Sequence, residues 1–160
     1  MRTRTRLALA AVAALATAAP ALAATTYSTG RYEGTTGQVN KNTGKHRKIS
    51  LHADQAAGQV SNIKFVTTGK CNDGSHSTGS QGTNGNHLFA DVDGSGHFSL
   101  IAFSKTHATK LTMSGALAGT KASGTFKITS RFDDSGTPDP NGSIKCTSGT
   151  VHWSAKWTSG

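Results

Sequence analysis

Residues 151–158 read Val151-His152-Trp153-Ser154-Ala155-Lys156-Trp157-Thr158, and their alternation decides the fold class. Val151, Trp153, Ala155 and Trp157 fall on one parity, and His152, Ser154, Lys156 and Thr158 on the other. Successive side chains of a β-strand point to opposite faces, so the pattern predicts a strand with one buried and one wet face. Because the two tryptophans share parity with Val151 and Ala155, they are expected to fill the core rather than form a sugar-stacking platform.

The same reading extends back through the chain. Ile49 and Leu51 alternate with Lys48, Ser50 and His52, after a turn at 41–45. Tyr27 to Thr36 reads as a first strand and Gln59 to Thr67 as another. In the latter, Ile63, Phe65 and Thr67 share a face while Val60 is out of phase, which places a bulge or turn around Ser61-Asn62. Asn72-Asp73-Gly74-Ser75 and Asp93-Gly94-Ser95-Gly96 are turns, 75–86 is a weak strand or loop, and His87 to Val92 is a short strand. Phe98 to Phe103 is apolar on both parities, as for a strand covered on both faces. Leu111, Met113, Gly115 and Leu117 point inward on the next strand, Gly119-Thr120-Lys121 is a tight connection, and Phe126, Ile128 and Phe132 line one face of its partner. Residues 133–142, with two prolines and two glycines, form an exposed loop. The expectation is an all-β domain: a single antiparallel β-sandwich or flattened β-barrel of about 8–10 short strands.

Export is read from the N-terminus. Arg2, Arg4 and Arg6 precede an apolar stretch from Leu7 to Ala19, and Ala21-Leu22-Ala23 supplies the small-x-small pattern of a cleavage site. That apolar stretch is too short to span a bilayer and fits a Sec-type signal peptide over 1–23, leaving one domain over 24–160. No later run reaches membrane-spanning length, so no membrane span is expected after cleavage, and the protein is read as secreted, extracellular or cell-wall associated. Cys71 and Cys146 are the only cysteines, and in an exported chain the pair implies one disulfide.

Composition narrows the class further. The chain carries 17 Lys+Arg against 8 Asp+Glu; without the three signal arginines the balance is 14 against 8, or +6. Leu, Ile, Val and Phe number 21 in residues 24–160, about 15 %, under the ~20 % mark associated with disorder. Net charge is moderate and the apolar residues fall in strand patterns, so a folded domain with a modest core is expected.

Gly30-Arg31-Tyr32-Glu33-Gly34, Gly58 to Phe65, Cys71 to Ser75, Lys121 to Phe126 and Cys146 to Trp153 occur in that order. In this layout the chain resembles small secreted all-β proteins of actinobacteria. The resemblance implies an exported β-domain and carries no catalytic or binding residue with it.

Candidate chemistry is sparse. His87, His97 and His107 recur every ten residues, without the His-x-His or His-x-x-x-His spacing of a zinc site. Asp91 and Asp93 open a stretch like a calcium loop, but Ala102 stands where the bidentate Glu belongs. Asp133, Asp134, Asp139 and Asn141 gather oxygens in a loop of ordinary composition. Glu33 is the only glutamate, and no spacing nominates a partner acid for glycoside hydrolysis. No cofactor is implied. The densest basic segment, Lys41, Lys45, His46, Arg47 and Lys48, suits a polyanion, or else a solvated turn whose lysines protect an edge strand. The expected role is a secreted non-enzymatic domain binding an acidic or carbohydrate polymer at the cell surface. The alternatives are a secreted hydrolase of unusual design, or an inhibitor presenting loop 133–142 to a partner protein.

Overall fold

The computed structural model describes residues 24–82 and 88–160. The signal-peptide reading over 1–23 and the candidate ligand His87 lie outside the described residues. The described chain forms ten strands: β1 (Gly30–Val39), β2 (His46–Asp54), β3 (Gln59–Cys71), β4 (His76–Gln81), β5 (Ala90–Asp91), β6 (His97–Phe103), β7 (Thr109–Ala118), β8 (Lys121–Phe132), β9 (Ile144–Thr147) and β10 (Val151–Ser159). The all-β expectation holds, and every strand-to-strand ladder is antiparallel.

Neighbours run β10-β1-β2-β3-β9-β8-β7-β6, and β8 pairs back to β10, so the hydrogen bonding closes through a ring of six strands. β7 and β6 continue beyond β8, while β4 and β5 pair with β3. The closure depends on a division of β8: Lys121 to Phe126 pair with β10, and Thr129 to Phe132 with β9. Short β9 also pairs through Cys146 and Thr147 with Cys71 and Lys70 at the end of β3. The Cys71–Cys146 disulfide therefore joins two directly opposed residues, with Cα atoms 3.9 Å apart, at the seam that completes the ring. Beside it the Asn72 carboxamide extends the ladder, donating to Ser143 O (3.1 Å) and accepting from Lys145 N (2.9 Å).

A thin apolar inventory still makes one core. Ile49 and Leu51 of β2, Val60, Ile63 and Phe65 of β3, Phe98 of β6, Leu111, Met113 and Leu117 of β7, Phe126 of β8 and Trp153 of β10 are all buried in it. Small residues fill the remainder, with Ala53, Ala122 and Ala155 buried among them. Tyr32 is fully buried, and its single O–H proton has two carbonyl acceptors in reach, Ser28 O at 2.8 Å and Gly119 O at 3.0 Å. Gly115 is required by packing: a Cβ there would stand 2.6 Å from both Phe98 Cζ and Trp153 Cζ2. Those two rings, centroids 6.1 Å apart, meet over the space a side chain would fill.

Local expectations fare unevenly. The bulge at Ser61-Asn62 is present: the β2–β3 register shifts between Ser50 and His52, and Asn62 takes φ 50°. The tight connection expected over 119–121 is the two-residue link Gly119-Thr120 between β7 and β8, with Gly119 at φ 56° and Lys121 already opening β8. β4 gives regular structure to polar residues read as weak strand or loop. Of the strand expected over 87–92, the described residues 88–92 form only Ala90–Asp91. The expected cover on both faces of Phe98–Phe103 is wrong. Among the described residues no second layer covers the outer face of β6, which leaves Ile101 60 % and Phe103 54 % exposed. Trp157 likewise leaves the core, 38 % exposed, because the end of β10 reaches the first residues of β1; its Nε1 donates to Thr29 O (3.0 Å).

Candidate polyanion-binding surface

Acidic and basic residues are sorted by structural position. Asp54, Asp73, Asp93, Asp133 and Asp139, five of the eight carboxylates, each accept a backbone N–H two to four residues ahead in a turn. Asp93 holds Ser95 N and His97 N, and Asp133 holds Ser135 N and Thr137 N. These hydrogen bonds stabilise the charged form and lower the carboxyl pKa of Asp73, Asp93 and Asp133 below the usual aspartate value. The calcium-loop candidates are thus accounted for in part as turn formers, and among the described residues no three His, Cys, Asp or Glu converge on a metal-sized site. His97 opens β6 and His107 lies in the turn beyond its other end, so their ten-residue spacing follows the strand rather than crossing between strands.

Apart from Lys41, Lys45 and Lys105 in turns, the described lysines and arginines lie on strands. Register places Lys64 opposite Ser50, Ser50 opposite Glu33, Glu33 opposite Lys156, and Lys156 opposite Lys121. That row crosses five strands, roughly 19 Å at about 4.8 Å per strand. At its β1–β2–β3 end lies an open groove of about 640 Å³, whose walls include Arg31, Lys48 and Lys64. Glu33 is its single carboxylate, and an ion pair with Arg31 (Nη2–Oε1 2.5 Å) occupies it. The groove therefore presents Lys48 and Lys64 with no acidic partner among the described residues.

The basic segment read from the sequence does not form one face. Lys41 and Lys45 stand exposed in the turn that Asn40 closes with Lys45 O. His46 Nδ1 lies 3.0 Å from Thr36 O. Arg47 donates from Nη2 to Thr68 Oγ1 (2.6 Å), and its Nε is buried without a hydrogen-bond partner. Only Lys48 reaches the groove, where Arg31 and Lys64 join it from neighbouring strands. Strand alternation puts all three on outward positions, but their meeting depends on register, which a bulge and two turns set.

A second cleft, about 230 Å³, is walled by Thr67, Gly69, Thr78, Ser130, Thr147 and Ser148, with the disulfide's Cys146 among its lining. It contains no carboxylate. Hydrolysis by two acids needs a pair of carboxyls about 5–10 Å apart, and neither cavity brings two together. Among the described residues no helix is long and apolar enough to cross a membrane.

No family model, no curated protein and no solved structure matches this chain.

Proposed function

We propose that the protein is an exported β-domain that binds acidic polysaccharide, with the β1–β2–β3 groove as its principal contact. The observation that carries this reading is the sorting of charge. Five of the eight carboxylates are engaged in turns and Glu33 is paired with Arg31, while among the described residues Lys48 and Lys64 stand without an ion-pair partner in a groove flanked by the hydroxyls of Ser50 and Thr35. Clustered cations give affinity for any polyanion through counterion release, and neighbouring hydroxyls add partners for sugar oxygens. Export rests on the pattern of the first 23 residues, and the disulfide is compatible with an oxidising compartment.

The test is titration of the oxidised full chain with polygalacturonate, and with neutral dextran as the control, over a series of salt concentrations. Polygalacturonate binds, dextran does not, and Lys48→Gln with Lys64→Gln weakens binding about tenfold and lowers the salt slope by roughly one per lysine removed. Equal binding by the double variant overturns the groove, and equal binding to dextran overturns the electrostatic basis.

A second reading, a secreted inhibitor, draws on the order of loop 133–142. Asp133 clamps its first turn, Phe132 bridges to Pro138, and Asp139 N donates to Arg131 O (3.1 Å). Residues 134–138 stay exposed on this braced frame. Pulldown from culture supernatant with and without Ser135→Ala and Thr137→Ala tests it; an unchanged set of captured proteins removes it.

A further inference from the structure

A second basic cavity lies at the other end of β8 from Lys121. Arg131 is ten residues along β8 from Lys121, roughly 30 Å at 3.3 Å per residue. The cavity, about 400 Å³, is lined by Lys110, Arg131, Lys145 and His107, with the hydroxyls of Thr129 and Thr147 between them, and no carboxylate is part of the lining. We propose that it is a separate anion site, shaped for a tetrahedral oxyanion such as a phosphate or sulfate ester.

Three observations point to a ligand. Arg131 and Lys145 are direct cross-strand partners. Like charges placed opposite each other oppose strand pairing, and among the described residues neither forms an ion pair. Next to them, Lys110 pairs with Thr129 and Thr129 with Thr147, so one ladder row sets a third cation beside two hydroxyls. Finally, His107 adopts φ 59° in the β6–β7 turn, an uncommon left-handed conformation for a residue with a side chain, and it lines the cavity. Its ring sits 5.6 Å from that of Phe103, and Lys110 Nζ is 5.8 Å from the same ring. Phe103 thereby offers an exposed apolar edge to whatever carries the anion.

An oxyanion between Arg131 and Lys145 converts their repulsion into two charge-assisted contacts. The guanidinium fork supplies paired N–H donors, and the ammonium groups and threonine hydroxyls complete the shell. The site needs nothing from the groove on β1–β3.

The experiment is a titration of the isotopically labelled, oxidised full chain with inorganic phosphate at constant ionic strength, followed by amide chemical shifts. Saturable shifts are expected at 129–131 and 145–147. Arg131→Gln and, separately, Lys145→Gln weaken phosphate binding by about tenfold or more, the loss expected with a charge-assisted contact. Lys127→Gln, on the outer face of β8 but outside the cavity, keeps the full response. In phosphate-free buffer Arg131→Gln melts no lower than the parent, because a like-charge contact has gone. Sulfate competes with phosphate and acetate does not. Shifts that never saturate, or that survive Arg131→Gln, overturn the site; acetate matching phosphate overturns the tetrahedral class. Polygalacturonate binding by these variants remains that of the parent, so failure of the groove and failure of this site are read separately.

Discussion

The Gln38 side chain replaces a missing strand residue opposite Thr68: its Nε2 donates to Thr68 O at 2.7 Å, and its Oε1 accepts from Thr68 N at 3.0 Å. The same oxygen accepts from Thr67 Oγ1 at 3.0 Å, and Thr67 is buried. The cause is topological. β2 pairs with β3 only as far as Ile49–Phe65, and β9 begins pairing at Lys70. Between those points the edge of β3 has no strand neighbour on that side among the described residues, and a carboxamide, chemically a peptide group, fills the gap.

Gln38→Ala is accordingly expected to destabilise the fold by about 2–3 kcal/mol, because it strands the N–H and C=O of Thr68 together with the Thr67 hydroxyl. Gln38→Glu is expected to lose stability as well, since a carboxylate accepts from Thr68 N but repels Thr68 O. Urea denaturation checks both; a change under 0.5 kcal/mol in Gln38→Ala shows that water substitutes freely for the side chain.

Removing the disulfide acts at the same seam. In the chain-entropy model a bridge over 75 residues contributes about 4–5 kcal/mol through the unfolded state. Only two register pairs, Lys70–Thr147 and Cys71–Cys146, join β3 to β9. Paired Cys71→Ala and Cys146→Ala should therefore lower global stability by about that amount and release local protection first at this junction. Hydrogen exchange at Asn72 and Lys145, whose amides bond across it, reports the local effect. Uniform loss of protection over all strands contradicts a local seam.

Gly115→Ala tests whether the core is filled to its limit. Its Cβ would meet two rings at 2.6 Å, and overpacking of that kind costs about 1–3 kcal/mol. Gly37→Ala is the control, since its nearest neighbour would be His152 O at an ordinary 3.6 Å. The expected pattern is a lowered melting temperature and altered Trp153 fluorescence in Gly115→Ala alone. Matching behaviour in the two variants attributes the change to glycine propensity, not to the rings.

The parts of this fold that were legible in the sequence are those governed by local alternation. Val151, Trp153 and Ala155 are buried while His152, Ser154 and Lys156 are exposed, as their parity dictates. The phase break between Val60 and Ile63 marks a real bulge because a strand cannot change face without an extra residue. What escaped depends on neighbours distant in the chain. Parity cannot tell whether Ile101 and Phe103 lie under a second layer or on an edge strand. β4 carries no large apolar residue, so it has regular structure only because β3 offers a free edge. Both basic cavities also lie beyond local reading. Lys64 meets Lys48 through the β2–β3 register, and Arg131 faces Lys145 across a proline-containing loop.

The turn aspartates make stability respond to acid in a defined direction. Hydrogen bonds from Ser75 to Asp73, from His97 N to Asp93, and from Ser135 to Asp133 hold these carboxyls below their ordinary value. A depressed folded-state pKa means that the unfolded chain binds the proton more readily. The stabilisation is thus complete above the unfolded aspartate pKa of about 3.9, and is lost as pH falls through the lower folded values. Tyr27 and Tyr32 act at the opposite limit: burial raises both phenols, and the nearby Asp54 charge raises Tyr27 further. Their contribution is full below about pH 10 and disappears as pH rises through the raised folded values. Stability should therefore be flat between about pH 5 and 9 as far as these groups are concerned, falling on both sides. Asp93→Asn, which keeps an acceptor oxygen but cannot ionise, should flatten part of the acid limb without altering the alkaline one. An acid limb identical in Asp93→Asn, Asp133→Asn and the parent would show that these two turn aspartates do not carry the acid sensitivity.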